Sequence, residues 1–298
     1  MLTVFAILTD GLVYAAYLFL VAVGLSLIFG VMKILNVTHG SFYAFGAYGA
    51  ATAVGLYFSH DWPAAGGFLF MIALAMAIGA VLGLVLERGV LRFVYGRDEI
   101  VIVLVTYACF LILEDTIALI WGPQSYAAYQ PMVAAGNIEI GDLILSNYDI
   151  GLVAIAALVA VVAHWAINFT RWGRLLGVVI FDRETAAAFG INVRLVYTVT
   201  FVIGAMLGAL GGAMMAPKIS VTLGIGVEVI VLAFAVVAIG GMGSIEGTVL
   251  GALIVGLCRA AAVHLVPQLE LFVIYAVMAL VLVFRPYGLF SPPAPRKI

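Results

Sequence analysis

The sequence predicts an all-α, polytopic transmembrane helical bundle of about eight or nine helices, some of them broken or re-entrant. Three observations carry that prediction. Hydrophobic residues make up 66% of the 298 positions and charged residues only 9%, with a mean hydropathy of +1.26, whereas soluble domains hold roughly 45–50% apolar residues. The apolar residues come in continuous runs of about 20, enough for a helix to cross a bilayer. They lack the two-residue alternation of membrane barrels, and only helices or closed barrels satisfy their backbone in hydrocarbon.

The runs can be taken in order. The first, 11–31, has neither a basic leader nor a cleavage site around Leu12 to Phe29, so it reads as retained structure and not as a signal peptide. The second, 40–58, follows Asn36-Val37-Thr38-His39-Gly40-Ser41, where polar side chains interrupt apolar sequence. That pattern reads as a break, then a helix start capped by Thr38 or Ser41. Non-helical backbone there is either buried in protein or lines a cavity. Runs 64–87 and 99–121 are joined by a turn carrying Arg88, Arg92 and Arg97. The longest connection, 122–148, carries Glu139 and Asp142 but no Lys or Arg, and is expected to form a small external cap. Run 149–169 leads into a polar island, and 195–216, 228–240, 245–265 and 270–285 complete the set. Because 228–240 is short and runs into Gly240-Gly241-Met242-Gly243-Ser244, a broken or re-entrant pair fits there as well as two full spans. No linker or low-complexity tract divides 1–298, which reads as a single transmembrane domain.

Basic residues give the orientation. Arg88, Arg92 and Arg97 lie in one connection, Arg171, Arg174, Arg183 and Arg194 in another, and Arg285, Arg296 and Lys297 near the last residues. These ten of the thirteen Lys and Arg mark the cytoplasmic side. Lys218 and Arg259 fall elsewhere, where snorkelling or pairing accommodates them. The island from Arg171 to Arg194 (170–194 with its preceding residue) is the main polar segment. Within it Arg183 to Phe189 has the composition of a short amphipathic helix ending before Gly190, which suits a docking surface.

Several patterns have both a structural and a functional reading. Small-residue spacings such as Gly79-x-x-x-Gly83 and Gly204-x-x-x-Gly208 permit close helix packing, and equally the sliding of helices during transport. His39 either fastens helices together or lines a path. It has no ligand-like spacing to His60, His164 or His264, so no metal is expected, and Cys109 and Cys258 sit in apolar runs as small core residues. Glu114, Asp115, Glu228 and Glu246 are the acids nearest the membrane. They lie near helix ends, where water or a helix N-terminus accommodates them; a proton relay is the competing reading. No phosphate-binding G-x-x-x-x-G-K-[ST] loop occurs and nothing resembles a Ser-His-Asp set, so neither P-loop ATP hydrolysis nor another enzymatic activity is expected.

Four segments resemble the permease subunits of bacterial ABC importers for branched-chain amino acids. They are Asn36-Val37-Thr38-His39-Gly40; Asp182 through Asn192; Gly240-Gly241-Met242-Gly243-Ser244-Ile245-Glu246-Gly247; and Arg285-Pro286-x-Gly288-Leu289-Phe290. Their order and spacing cover nearly the whole chain, which is similar to the shorter of that family's two permease types. Val37-Thr38 replaces the more usual Phe-Ala, and Glu246 a frequent proline. The resemblance implies a bacterial inner-membrane protein and no cofactor. It also implies four kinds of partner: two cytoplasmic ATPase subunits, a second related permease, a soluble periplasmic substrate-binding protein and a small-molecule substrate. Nucleic acid is not among them. It further implies that Arg183, Glu184, Ala186, Ala187, Phe189 and Gly190 form a coupling helix seated in an ATPase cleft, with an apolar face of Ala186, Ala187 and Phe189. Candidate path residues are Asn36, Thr38, His39 and Ser41 with Gly240, Gly241, Gly243 and Ser244. An ion-coupled secondary transporter and a passive amide or urea channel are the alternatives; neither needs a cytoplasmic dock.

Overall fold

The computed structural model describes residues 2–60, 62–140 and 143–290. The elements in chain order are α1 (Leu2–Met32), α2 (His39–Ser59), α3 (Ala64–Gly89), α4 (Glu99–Trp121) and a short α5 (Gln130–Ala135). An antiparallel hairpin follows, β1 (Asn137–Ile140) and β2 (Leu143–Ser146), with Asn137 opposite Ser146 and Glu139 opposite Ile144. Then come α6 (Asn147–Phe169), α7 (Arg171–Phe181), α8 (Arg183–Ala188), α9 (Val193–Met215), α10 (Ile225–Gly240), α11 (Ile245–Leu265) and α12 (Glu270–Phe284). Asp142, Arg296 and Lys297 lie outside the described residues.

Among the described residues seven helical segments, built on α1, α3, α4, α6, α9, α11 and α12, are long and apolar enough to cross a bilayer. The chain is a multi-pass membrane protein. Two further long helices, α2 and α10, serve the interior. Helix α2 is buried almost continuously from His39 to Val54, so it is sheathed by protein and not by lipid. Its sheath depends on the spaced glycines. Gly46 and Gly212 let α2 and α9 touch backbone to backbone. A methyl group on Gly79 of α3 would lie 2.8 Å from the Ala209 side chain of α9, and one on Gly256 of α11 would lie 2.5 Å from the Gly11 carbonyl of α1. The small-residue spacings are thus packing faces.

Irregular backbone enters the bundle at two places. The first is the unwound segment between α1 and α2, held by Thr106 of α4: Val37 N donates to its hydroxyl at 3.4 Å, and that hydroxyl donates to Leu35 O at 3.4 Å. Thr106 stands seven residues into α4, about 10 Å from its start. The second is the connection between α9 and α10. Gly224 N donates to Glu114 of α4 at 2.5 Å, and a side chain on Gly226 would meet Phe110. Helix α10 therefore begins beside Phe110 to Glu114, roughly 10–16 Å short of the far end of α4 at Trp121. At Gly240–Ser244, where a re-entrant pair and two full spans fitted equally, the chain makes a tight turn between α10 and α11. The actual break lies at the other end of α10, where residues 216–224 dip inward.

The helices alternate between two ends. One, the basic end, carries nine of the eleven described Lys and Arg, Lys33 included. At the opposite end Lys218 pairs with Asp149, and Arg259 pairs with Glu270 while stacking 3.8 Å from the centre of the Tyr14 ring. Both outliers of the charge pattern are thus paired.

Candidate coupling surface and membrane path

The polar island folds into two helices where the sequence suggested one. Thr170 caps α7 by accepting the Gly173 amide at 3.2 Å, and α7 buries Gly173, Leu176 and Val179 while exposing Arg171 and Arg174. The Leu176-to-Val179 spacing, flanked by arginines, was a legible signal of this amphipathic helix. Asp182 ends α7 and caps α8: its carboxylate accepts the amides of Glu184 at 2.9 Å and Thr185 at 3.0 Å, and the Thr185 hydroxyl at 2.5 Å. The hydroxyl, with the amides, holds the Asp182 carboxyl below its ordinary value of 3.8. Gly190 closes the helix at φ 80°, and Ile191 N returns to Ala186 O at 3.1 Å. Asn192 then caps α9 by accepting the Leu195 amide.

The faces of α8 differ from the expectation at one position. Ala186 is fully buried against its own chain, so it anchors α8 and does not lie on its exposed face; a helix of six residues spends one face on its scaffold. Arg183, Glu184 and Ala187 are exposed, and Phe189 is 80% exposed. Phe181, missed in the sequence because it ends an apolar run, is 83% exposed at the end of α7. Between α8 and the α3–α4 turn lies a cleft of about 980 Å³ lined by Arg88, Arg92, Arg183, Glu184 and Arg194. None of these arginines has an acid within ion-pair distance among the described residues. Glu87 forms the floor, buried and receiving the Thr198 hydroxyl at 2.8 Å and the Tyr95 hydroxyl at 3.3 Å. Burial pushes the Tyr95 hydroxyl well up, so it stays a donor.

The first group of candidate path residues is buried within the chain. Asn36, Thr38, His39 and Ser41 are each no more than 1% exposed. His39 Nε2 donates to the Val21 carbonyl of α1 at 2.8 Å, and its ring lies against Gly24 of α1 and Gly208 of α9. It clamps three helices together. Neither Thr38 nor Ser41 caps α2 with its side chain: the Thr38 hydroxyl donates to Asn36 Oδ1, which also accepts the Thr38 amide at 3.1 Å. Asn36 closes the turn before the helix, leaving the helix-capping geometry unused.

The second group forms a tight turn at the basic end in which Gly240 and Gly241 are buried and Gly243 and Ser244 are half-buried. Gly240 packs on Gly247, and Gly241 and Gly243 adopt φ of 108° and 89°. Gly243 meets Gly30 of α1, and Ser244 caps α11 by accepting the Gly247 amide at 3.0 Å. The 285–290 segment docks here, with Leu289 N on Ile239 O and Phe290 N on Gly240 O, both at 2.9 Å. Two sequence segments far apart in the chain thus make one knot. Glu246 beside it pairs with His164 of α6 at 2.8 Å.

Residues 7–282 match the family described as branched-chain amino acid transport system, permease component. The high-affinity branched-chain amino acid transport system permease protein BraD of Pseudomonas aeruginosa is 26% identical over 299 residues, covering 98% of this chain and 97% of that protein. Permease protein LivH of the same-named system in Escherichia coli K12 is 27% identical over 304 residues, covering 97% and 95%. Among solved structures, PsaBC from Streptococcus pneumoniae in complex with Fab aligns over 98% of this chain and 94% of its own, at 12% identity and a TM-score of 0.47, too low to bear on the fold.

Proposed function

The chain belongs to the family of branched-chain amino acid transport permeases, membrane subunits of ABC importers, and on that premise we propose that it forms part of the path for branched-chain amino acids or related small polar compounds. Hydrolysis of ATP is assigned to separate subunits. The basic end is the cytoplasmic side and 170–194 the coupling segment, while 122–148 belongs to the external side. Two ATPases, a second related permease and a periplasmic binding protein complete the assembly.

The observation that carries this reading is the shape of the basic end. Helix α8 is capped at both ends, Phe181 and Phe189 flank it as exposed rings, and its Arg183, Glu184 and Ala187 line a cleft rimmed by arginines. Exposed aromatic side chains with charged neighbours are what a groove on a soluble partner recognises: the rings supply burial, and Arg183 and Glu184 supply register. A secondary carrier or channel has no use for such a knob. Replacing Glu184 and Gly190 together with arginine tests the proposal. The variant is expected to reach the membrane yet lose ATP-driven uptake; unchanged uptake would count against coupling through this segment.

A further inference from the structure

We propose that the cleft between α8 and the α3–α4 turn binds the phosphate of an anionic phospholipid from the leaflet at the basic end, and that the bound headgroup ties α8 to the membrane-spanning bundle. The inference needs only a multi-pass membrane chain, so it stands or falls apart from the importer reading.

Charge is the first argument. Arg88 lies in the last turn of α3, Arg92 in the turn that follows, Arg183 at the start of α8 and Arg194 in the first turn of α9, and all four line one cavity of about 980 Å³. None has an acid within ion-pair distance among the described residues. The acids of the lining are Glu87 and Glu184. Glu87 is buried, and its two oxygens accept the Tyr95 and Thr198 hydroxyls. Even with both carboxylates ionised, the four guanidinium groups leave the cleft two positive charges in excess. Like charges gathered in one concavity repel one another, and a shared anion relieves that repulsion. Guanidinium forks match phosphate oxygens with paired hydrogen bonds. The Arg92 guanidinium is already held over the Phe93 ring, 4.6 Å from its centre, so less freedom is lost when it binds.

Position is the second argument, and it selects a lipid over a soluble anion. The membrane-spanning segments Gly66–Phe93 and Val193–Met215 place Arg88 and Arg92 at the end of one span and Arg194 at the start of another. That is headgroup level, where basic pockets between helices recognise anionic lipids. Val81, Leu84 and Val85 precede Arg88 by seven, four and three residues, so they share its face of α3. They are 61%, 40% and 60% exposed, and Phe93 and Leu195 in the cleft wall are 63% and 49% exposed. An acyl chain lying along that stripe brings its phosphate to Arg88, whereas a free anion gains nothing from it. Phe181 and Phe189 are not among the lining residues, so a lipid in the cleft leaves free the rings assigned above to the ATPase.

The test uses the full chain, purified in a neutral detergent and offered equal amounts of dioleoylphosphatidylglycerol and dioleoylphosphatidylcholine, with bound lipid counted by native mass spectrometry. Retention of the glycerol lipid is expected to exceed that of the choline lipid about tenfold, and to fall to parity when Arg88→Gln, Arg92→Gln and Arg194→Gln are combined. Arg171→Gln, Arg174→Gln and Arg285→Gln together remove as much charge from exposed positions outside the cleft and are expected to keep the preference. Unfolding temperatures in the choline lipid check that both variants are folded; if the cleft variant is not, Arg92→Gln with Arg194→Gln replaces it. Equal retention of the two lipids by the native chain, or equal loss of preference in the two variants, overturns the inference. Soluble glycerol phosphate at the same concentration is expected to leave the lipid bound. Displacement by it would overturn the lipid assignment in favour of a soluble phosphate ligand.

Discussion

Single side chains decide whether the basic end is ordered. Asp182 terminates one helix and starts the next, and its carboxyl is held below its ordinary value chiefly by the Thr185 hydroxyl. A depressed value means that the ionised form favours the folded turn. Order in α8 is therefore complete above the ordinary value of 3.8 and lost as the pH falls through the lower, folded one. Protection of the Glu184 and Thr185 amides, measured as exchange relative to the unstructured rate at each pH, is expected to hold at neutral pH and to fall only in strong acid; Asp182→Ala should lack that protection throughout. His39 shows the limit of sequence reading at this scale. A histidine in a polar interruption has two readings, and only the third dimension shows Val21, Gly24 and Gly208 around it. His39→Ala is expected to lower stability by about 2–4 kcal/mol, measured by thermal or denaturant unfolding in detergent. The ratio of leucine to alanine uptake by the surviving protein should not change. A changed ratio with unchanged stability would return His39 to the path.

At the scale of elements, the spacing of small residues was legible and its partners were not. Gly204-x-x-x-Gly208 and Gly79-x-x-x-Gly83 announce flat faces, but sequence does not say that both serve α9, with α1 and α2 on one side and α3 on another. Gly212 of α9 lies against the Tyr43 carbonyl of α2, so Gly212→Val forces the central pair apart. The expected cost is about 1–3 kcal/mol, visible as a lower unfolding temperature, whereas Gly177→Val on the exposed face of α7 meets nothing and should be tolerated. Most helix boundaries followed the apolar runs, because a bilayer fixes helix length; α1 is the exception, starting at Leu2 where the run was expected to start at 11. Two further elements violate the simple run. One is α7, whose apolar residues form a stripe and not a run. The other is α10, whose start is set by a hydrogen bond to Glu114 instead of by a change in composition.

For the whole molecule, charge asymmetry and the alternation of helices agree on two distinct ends, one rich in arginines that make no ion pair among the described residues and one whose cations are paired. The unwound segment before α2 and the start of α2 bring Asn36, Thr38, His39 and Ser41 into the bundle as a buried polar interruption. The chain belongs to a family of transport permeases, and ATP dependence through partner subunits is the central claim of the proposed function. The most direct measurement is leucine uptake into proteoliposomes holding this chain with its second permease and ATPases, supplied with binding protein outside the lumen on the face opposite the ATPases. Uptake is expected only when ATP reaches the basic end, and is expected to stop when the ATPases are omitted. Uptake that persists without ATP, or that follows an imposed proton or sodium gradient, would contradict the account.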